Sequence, residues 1–279
     1  RKNYSHHFSQ TKMKLQNDPF EYKIPIISID DELADSLLKA GGIKKGLNKT
    51  FKKINKKGKP NSRELFFKCS INSKMINHDL SSENVLGFVE GSDLKEELLI
   101  VTAHYDHIGK HGDAIYYGAD DDGSGTTALL MMAEAFAKAK EKGEGPRRSI
   151  LFMPVSAEEK GLLGSRYYTE NPLFPLENTV ADLNIDMIGR VDEPHEGNPD
   201  YVYIIGSDFL STDLHNINEN QNKLHTKLQL DYTFNSKDDP NNFYKRSDHY
   251  NFAKNGIPVI FYFNGVHEDY HKTSDTVDK

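Results

Sequence analysis

Apolar residues in this chain gather in short unbroken runs set between polar stretches of helical spacing. Leu98–His104, Arg147–Ser156, Thr179–Met187, Tyr201–Gly206 and Ile257–Phe263 are such runs. Their lack of in-out alternation predicts strands buried on both faces of a sheet. Arg63–Ile71 and Asn84–Gly91 predict two further strands, with a turn around Ser81 and Ser82. Thr126–Lys142 carries Leu129, Met132, Ala133 and Phe136 at helical spacing, a stripe that reads as core. Gly161–Glu170, Asp213–Leu224 and His249–Gly256 predict shorter helices. Strands alternating with helices, and covered on both faces, imply a layered α/β/α domain.

The first 60 residues follow another pattern. Lys23–Gly42 reads as a short strand, an acidic turn and a helix with Leu33, Leu37 and Leu38 on one face, stopped by Gly41-Gly42. Lys44–Lys59 then holds eight lysines and no acid. It reads as a solvated loop or hairpin linker, because lysines without interleaved aromatics are a weak nucleic-acid signal. The net charge of -7 likewise argues against a nucleic-acid partner. No apolar run approaches the roughly 18 residues that span a bilayer. The single cysteine, Cys69, cannot form an internal disulfide and reads as a small buried strand residue.

The polar residues that end the strands carry the chemistry. His104, Glu158, Glu159 and Asp186 follow runs of Val, Ile, Leu or Phe, and ligands of open α/β sheets gather beyond the carboxyl ends of strands. Asp120, Asp121 and Asp122 precede a Gly-Ser-Gly turn, and His271 lies near the end of the chain. Imidazole with carboxylate and no thiolate suits zinc best, with cobalt or manganese as substitutes. Asp121, Glu159 and Asp186 bring three negative charges and a bridging hydroxide a fourth, which two divalent cations cancel. A single ion would leave carboxylates crowded together with raised pKa values. The Gly-Ser-Gly turn lacks the Lys of a phosphate loop, which argues against nucleotide binding.

His104-Tyr105-Asp106, the Gly118–Gly125 segment, Glu158-Glu159 with Gly161–Ser165, Asn184-Ile185-Asp186, and Tyr270-His271 with Asp275-Thr276 occur in this order. Together they resemble the co-catalytic dizinc aminopeptidase family of metallopeptidase clan MH, which also contains glutamate carboxypeptidase, glutaminyl cyclase and the transferrin receptor ectodomain. The likeness runs from about residue 80 to the C-terminus. It implies a three-layer α/β/α sandwich around a mixed, mostly parallel sheet of the zinc-exopeptidase, phosphorylase/hydrolase-like type. It also implies a metallo-aminopeptidase that cuts the N-terminal peptide bond of peptides with a water bridging two zinc ions. On this resemblance His104 and Asp186 hold one zinc, Glu159 and His271 the other, and Asp121 bridges them. Asp106 would accept the remaining imidazole N–H of His104, with Asp122 also behind the ligands, and the Asp121–Asp122 peptide would be cis. Glu158 would be the general base. Tyr270 reads either as a hydroxyl donor to the oxyanion or as a packed wall residue.

With five ligands assigned, His107 and His111 read as surface groups or as groups behind the ligands. Ser247-Asp248-His249 reads as helix cap and scaffold, since adjacent residues cannot converge as a hydrolase triad. His267 competes with His271, which alone has the Tyr before it; His6 and His7 read as incidental. Residues 1–60 read as the remnant of a protease-associated-type domain plus a Lys-rich linker, and 61–279 as the catalytic domain. The two ends suggest a processed or trimmed product, and the resemblance implies a secreted, periplasmic or outer-membrane-associated location. Two alternatives remain open. A carboxypeptidase or deacylase with the same centre would need a cationic pocket drawn from Arg166, Arg190 and Arg246, and an inactive binding ectodomain would lack the metals. Oligomeric state is not legible.

Overall fold

The computed structural model describes residues 13–18, 29–43, 46–60, 64, 70 and 78–279. Cys69 and the strand expected around it, the strand expected before Asp30, and His6 and His7 lie outside the described residues. The chain divides into two compact units, residues 1–12 with 17–80 and residues 13–16 with 81–279.

In the first unit, α1 (Asp31–Ala40) starts where the Asp30 side chain accepts the Leu33 N–H at 2.7 Å, and it stops at Gly41. The lysine-rich segment, expected as a loop or hairpin linker, is a helix: α2 spans Gly46–Lys57. Leu47, Phe51 and Ile54 stand at helical spacing and the intervening lysines are good helix formers, so apolar periodicity outweighs the charge run. The Asp35 carboxylate accepts the Leu47 N–H and so ties the start of α2 to α1.

The second unit is built on one seven-stranded sheet. Its strands are β1 (Gly87–Val89), β2 (Leu94–His104), β5 (Arg148–Val155), β6 (Thr179–Ile185), β7 (Tyr201–Ile205), β8 (Gln229–Asp231) and β9 (Val259–Phe263), in the spatial order β1-β5-β2-β6-β9-β7-β8. The β5-β2-β6-β9 block and the β7-β8 pair are parallel, while β1 and β7 run antiparallel to β5 and β9. A small hairpin, β3 (Gly109–His111) with β4 (Ala114–Tyr116), stands apart. The helices are α3 (Gly123–Glu141), α4 (Leu163–Glu170), α5 (Thr212–Gln221) and α6 (His249–Ala253).

Alternation along β2, β5 and β6 sends their side chains into two core clusters, one on each face. Leu98, Ile100, Leu151, Met153 and Val155 face Tyr168 of α4 and Phe252 of α6. Val101, Ala103, Ile150, Phe152 and Ile185 face Leu129 of α3. The α/β/α sandwich expected from the sequence is therefore present, and α3 packs with the predicted stripe. Among the described residues no helix is long and apolar enough to cross a membrane.

His249 of α6 is fully buried and stacks on Phe261 with ring centroids 4.7 Å apart. Burial drives its imidazole down to about 3 from an ordinary 6.5. The folded chain thus keeps this ring neutral where the unfolded chain would protonate it. The stabilising contribution is complete above about pH 6.5 and is lost as pH falls toward 3, at up to about 1.4 kcal/mol per pH unit. In His249→Phe, the urea midpoint is expected to fall less than in the parent between about pH 7 and pH 5. Equal losses in the two proteins would show that another group governs this window.

Candidate metal centre

Three parallel strands deliver their carboxyl ends to one edge. His104 pairs with Val155 and Thr102 with Asn184, so the last residue of β2 lies level with the ends of β5 and β6. Glu158 and Glu159 follow β5, Asp186 follows β6, Asp121 precedes α3, and His271 follows β9. The backbone turns sharply beside these groups: Ala157, Met187 and His271 all have φ between 56° and 58°. For residues other than glycine such left-handed backbone is strained and concentrates at functional sites.

One buried carboxylate clasps the edge together. Asp122 accepts the backbone N–H of His104 at 3.0 Å, of Met187 at 3.1 Å and of Gly125 at 2.9 Å, joining β2, the end of β6 and the first turn of α3. A Cβ on Gly125 would stand 2.4 Å from that carboxylate, which explains the glycine. The Asp121–Asp122 peptide is cis. Asp275 accepts the N–H groups of Asp120 and Asp121 and fixes the loop from the other side. Asn184 donates to Ser247 Oγ at 2.8 Å, and Ser247 donates to Asp186 Oδ2 at 2.7 Å, leaving Oδ1 to face the cluster.

The side chains converge in two groups that meet at Asp121. In the first, His104 Nε2 lies 3.2 Å from Asp121 Oδ1 and 3.6 Å from Asp186 Oδ1. In the second, His271 Nε2 lies 3.0 Å from Asp121 Oδ2 and 3.3 Å from Glu159 Oε1. His107 Nδ1 joins the second group, 2.9 Å from Glu159 Oε1 and 3.8 Å from Asp121 Oδ2. His104 Nε2, His107 Nδ1, Asp121 Oδ2, Glu159 Oε1 and Asp186 Oδ1 are buried and lack hydrogen-bond partners. Such atoms are costly unless something else satisfies them. Ligand atoms about 2.0 to 2.1 Å from a tetrahedral ion are about 3.3 Å apart. Both the orphaned atoms and the spacings therefore fit zinc.

Electrostatics separate the carboxylates. Burial raises the Glu158 carboxyl well above its usual range against the pull of His104, with Asp248, Asp186 and Glu159 adding to the rise. Burial also opposes ionisation of Glu159, but the neighbouring His107 and His271 hold it down at about 2. A cavity of about 340 Å³ opens over Glu158, Glu159, Asp121 and Asp186, with Phe243, Phe261, Phe263 and Tyr270 among its walls. Tyr270 stacks on His271 at 3.9 Å and accepts a hydrogen bond from Arg246 at 3.1 Å.

The five expected ligand residues are together. The carboxylate of Asp106 lies 3.8 Å from His104 Nδ1, which instead meets the Asp106 carbonyl oxygen at 2.9 Å; the carboxylate accepts the Glu158 N–H at 3.0 Å. His267 is outside the cluster, 3.1 Å from Asp120. His111 is exposed on β3. Asp248 precedes α6, but its carboxylate accepts from Ser165 and not from the helix. His107 was expected at the surface or behind the ligands, and its ring is buried beside Glu159 and Asp121. Its only signal in the sequence is position, three residues after His104. Ser247 reads from the sequence only as cap and scaffold, because its partner Asp186 is 61 residues away.

The model of peptidase family M28 matches residues 84–279. The chain belongs to peptidase family M28. Curated relatives of this M28 member include aminopeptidase YwaD of Bacillus subtilis, 33% identical over 39% of this chain and 22% of the relative. A probable leucine aminopeptidase of Trichophyton verrucosum is 30% identical over 74% of this chain and 54% of the relative. Among solved structures, the zinc aminopeptidase BSAP of Bacillus subtilis aligns with a TM-score of 0.54 at 25% identity, covering 70% of this chain and 44% of that one. The matched part of this M28 chain thus spans about half or less of these relatives.

Proposed function

We propose that this M28 peptidase is a two-zinc aminopeptidase. The observation that carries the reading is the pair of orphaned ligand groups sharing Asp121 beneath a cavity that also holds Glu158. His104 and Asp186 would hold one zinc, Glu159 and His271 the other, with one oxygen of Asp121 toward each. When bound, zinc lowers the pKa of water and polarises a substrate carbonyl.

The protein's own groups do the rest. Glu158, whose proton affinity is raised by desolvation, takes a proton as the water oxygen bonds to the scissile carbonyl carbon. The same proton passes to the amide nitrogen as the C–N bond breaks, releasing an amine and restoring the carboxylate. The Tyr270 hydroxyl, oriented by Arg246, is available as a donor to the oxyanion. The free N-terminal amine of the substrate would meet the site carboxylates, Glu158 among them.

A second reading has one observation in its favour. Lys245 and Arg246 also line the cavity, and they could meet a substrate carboxylate in a carboxypeptidase. Arg166 pairs with Glu170 and Arg190 with Asp269, so neither is the obvious candidate. A panel of aminoacyl, N-blocked and C-terminally free peptides, assayed with zinc, separates the two. Release from free-amine substrates alone supports an aminopeptidase; cleavage confined to blocked peptides with a free C-terminus would overturn it.

A further inference from the structure

The two ligand groups are unequal, and the inequality comes from His107. Its side chain is only 7% exposed, and neither ring nitrogen has a hydrogen-bond partner. Nδ1 approaches Glu159 Oε1 to 2.9 Å without making a hydrogen bond to it. That is the relation of two donors around a shared ion. The ring is held in place by a glycine: at Gly118, φ is +63° and a Cβ would lie 2.4 Å from His107 Cγ. The same Cβ would lie 2.3 Å from the Asp121 carbonyl oxygen, so only glycine leaves both the ring and the Asp121 backbone where they are. His107 and His271 meet edge to face, centroids 5.8 Å apart, so the two rings approach the same carboxylates from different sides.

We propose that His107 is a sixth protein ligand, binding through Nδ1 to the zinc held by Glu159 and His271. The inference rests on the two-zinc reading above and deepens it. One position then has four protein donors, His107, Asp121, Glu159 and His271, while the other has three, His104, Asp121 and Asp186. A neutral imidazole adds a donor without changing the charge of the centre. By donor count the position with four protein ligands would be the tighter of the two.

The test is magnetic resonance of the chain loaded with spin-active cadmium and labelled in its histidine nitrogens. Three cadmium-coupled imidazoles are expected, two through Nε2 and one through Nδ1. In His107→Ala the Nδ1 coupling should vanish, the other two should persist, and the tighter binding constant should weaken by at least roughly 10- to 100-fold. Two couplings, both through Nε2, with two ions bound would overturn the sixth ligand and leave the two-metal reading standing. A single bound ion, or none, would overturn both.

Discussion

Glu158→Gln is expected to lower kcat by roughly 10²- to 10⁴-fold, the range for a general acid-base group. Glutamine keeps the size and the reach of the side chain and loses its negative charge and the ability to take a proton. Glu158 makes none of the closest contacts among the ligand atoms, so the variant should bind zinc as the parent does. Its backbone N–H is held by Asp106, so the main chain should not move. KM should change far less than kcat, because the missing proton transfer belongs to the transition state. Steady-state kinetics with metal analysis on the same sample would decide it. A kcat within about tenfold of the parent would remove Glu158 from the role of base, since even the low end of the range exceeds that.

Stripping the metal is expected to abolish activity and to soften the fold. Without ions, Asp121, Glu159 and Asp186 remain crowded under the cavity with their imidazole neighbours. A ligand at 100 times its dissociation constant stabilises by about 2.7 kcal/mol, so two ions contribute about 5 kcal/mol. For a chain of this size that is a drop of roughly 10 to 20 °C in Tm on chelation. Protons should also be exchanged. Burial lowers the His271 pKa, but Asp121 and Glu159 outweigh it and raise the metal-free ring to about 9. Zinc must displace that proton, so uptake should release acid at neutral pH and release less as pH rises past about 9. Tm unchanged by chelation would mean that no ion occupies the site.

The legible part of this molecule was the part encoded in neighbouring residues. Buried strands announced themselves as unbroken apolar runs, and the polar residue closing each run marked the edge where His104, Glu158, Glu159 and Asp186 converge. Asp121 and His271 lie in loops and were readable only through the family's motifs. What local pattern could not reveal is what depends on contacts distant in sequence. Ser247 orients Asp186 across the fold, Asp275 braces Asp120, and Gly118 makes the space that brings His107 inside. Asp106 lies beside His104, but its carbonyl takes the contact expected of its carboxylate, which accepts the Glu158 N–H instead. The helix α2 stands where the eight lysines predict a loop, because the apolar spacing of Leu47, Phe51 and Ile54 runs beneath them.

Titrating the metal-free chain with zinc, while following amine release from an aminoacyl chromogenic substrate, tests the two-zinc aminopeptidase most directly. Activity is expected to be absent at the start and to reach its plateau at two equivalents of zinc per chain. A plateau at one equivalent, or full activity before any zinc is added, would contradict it.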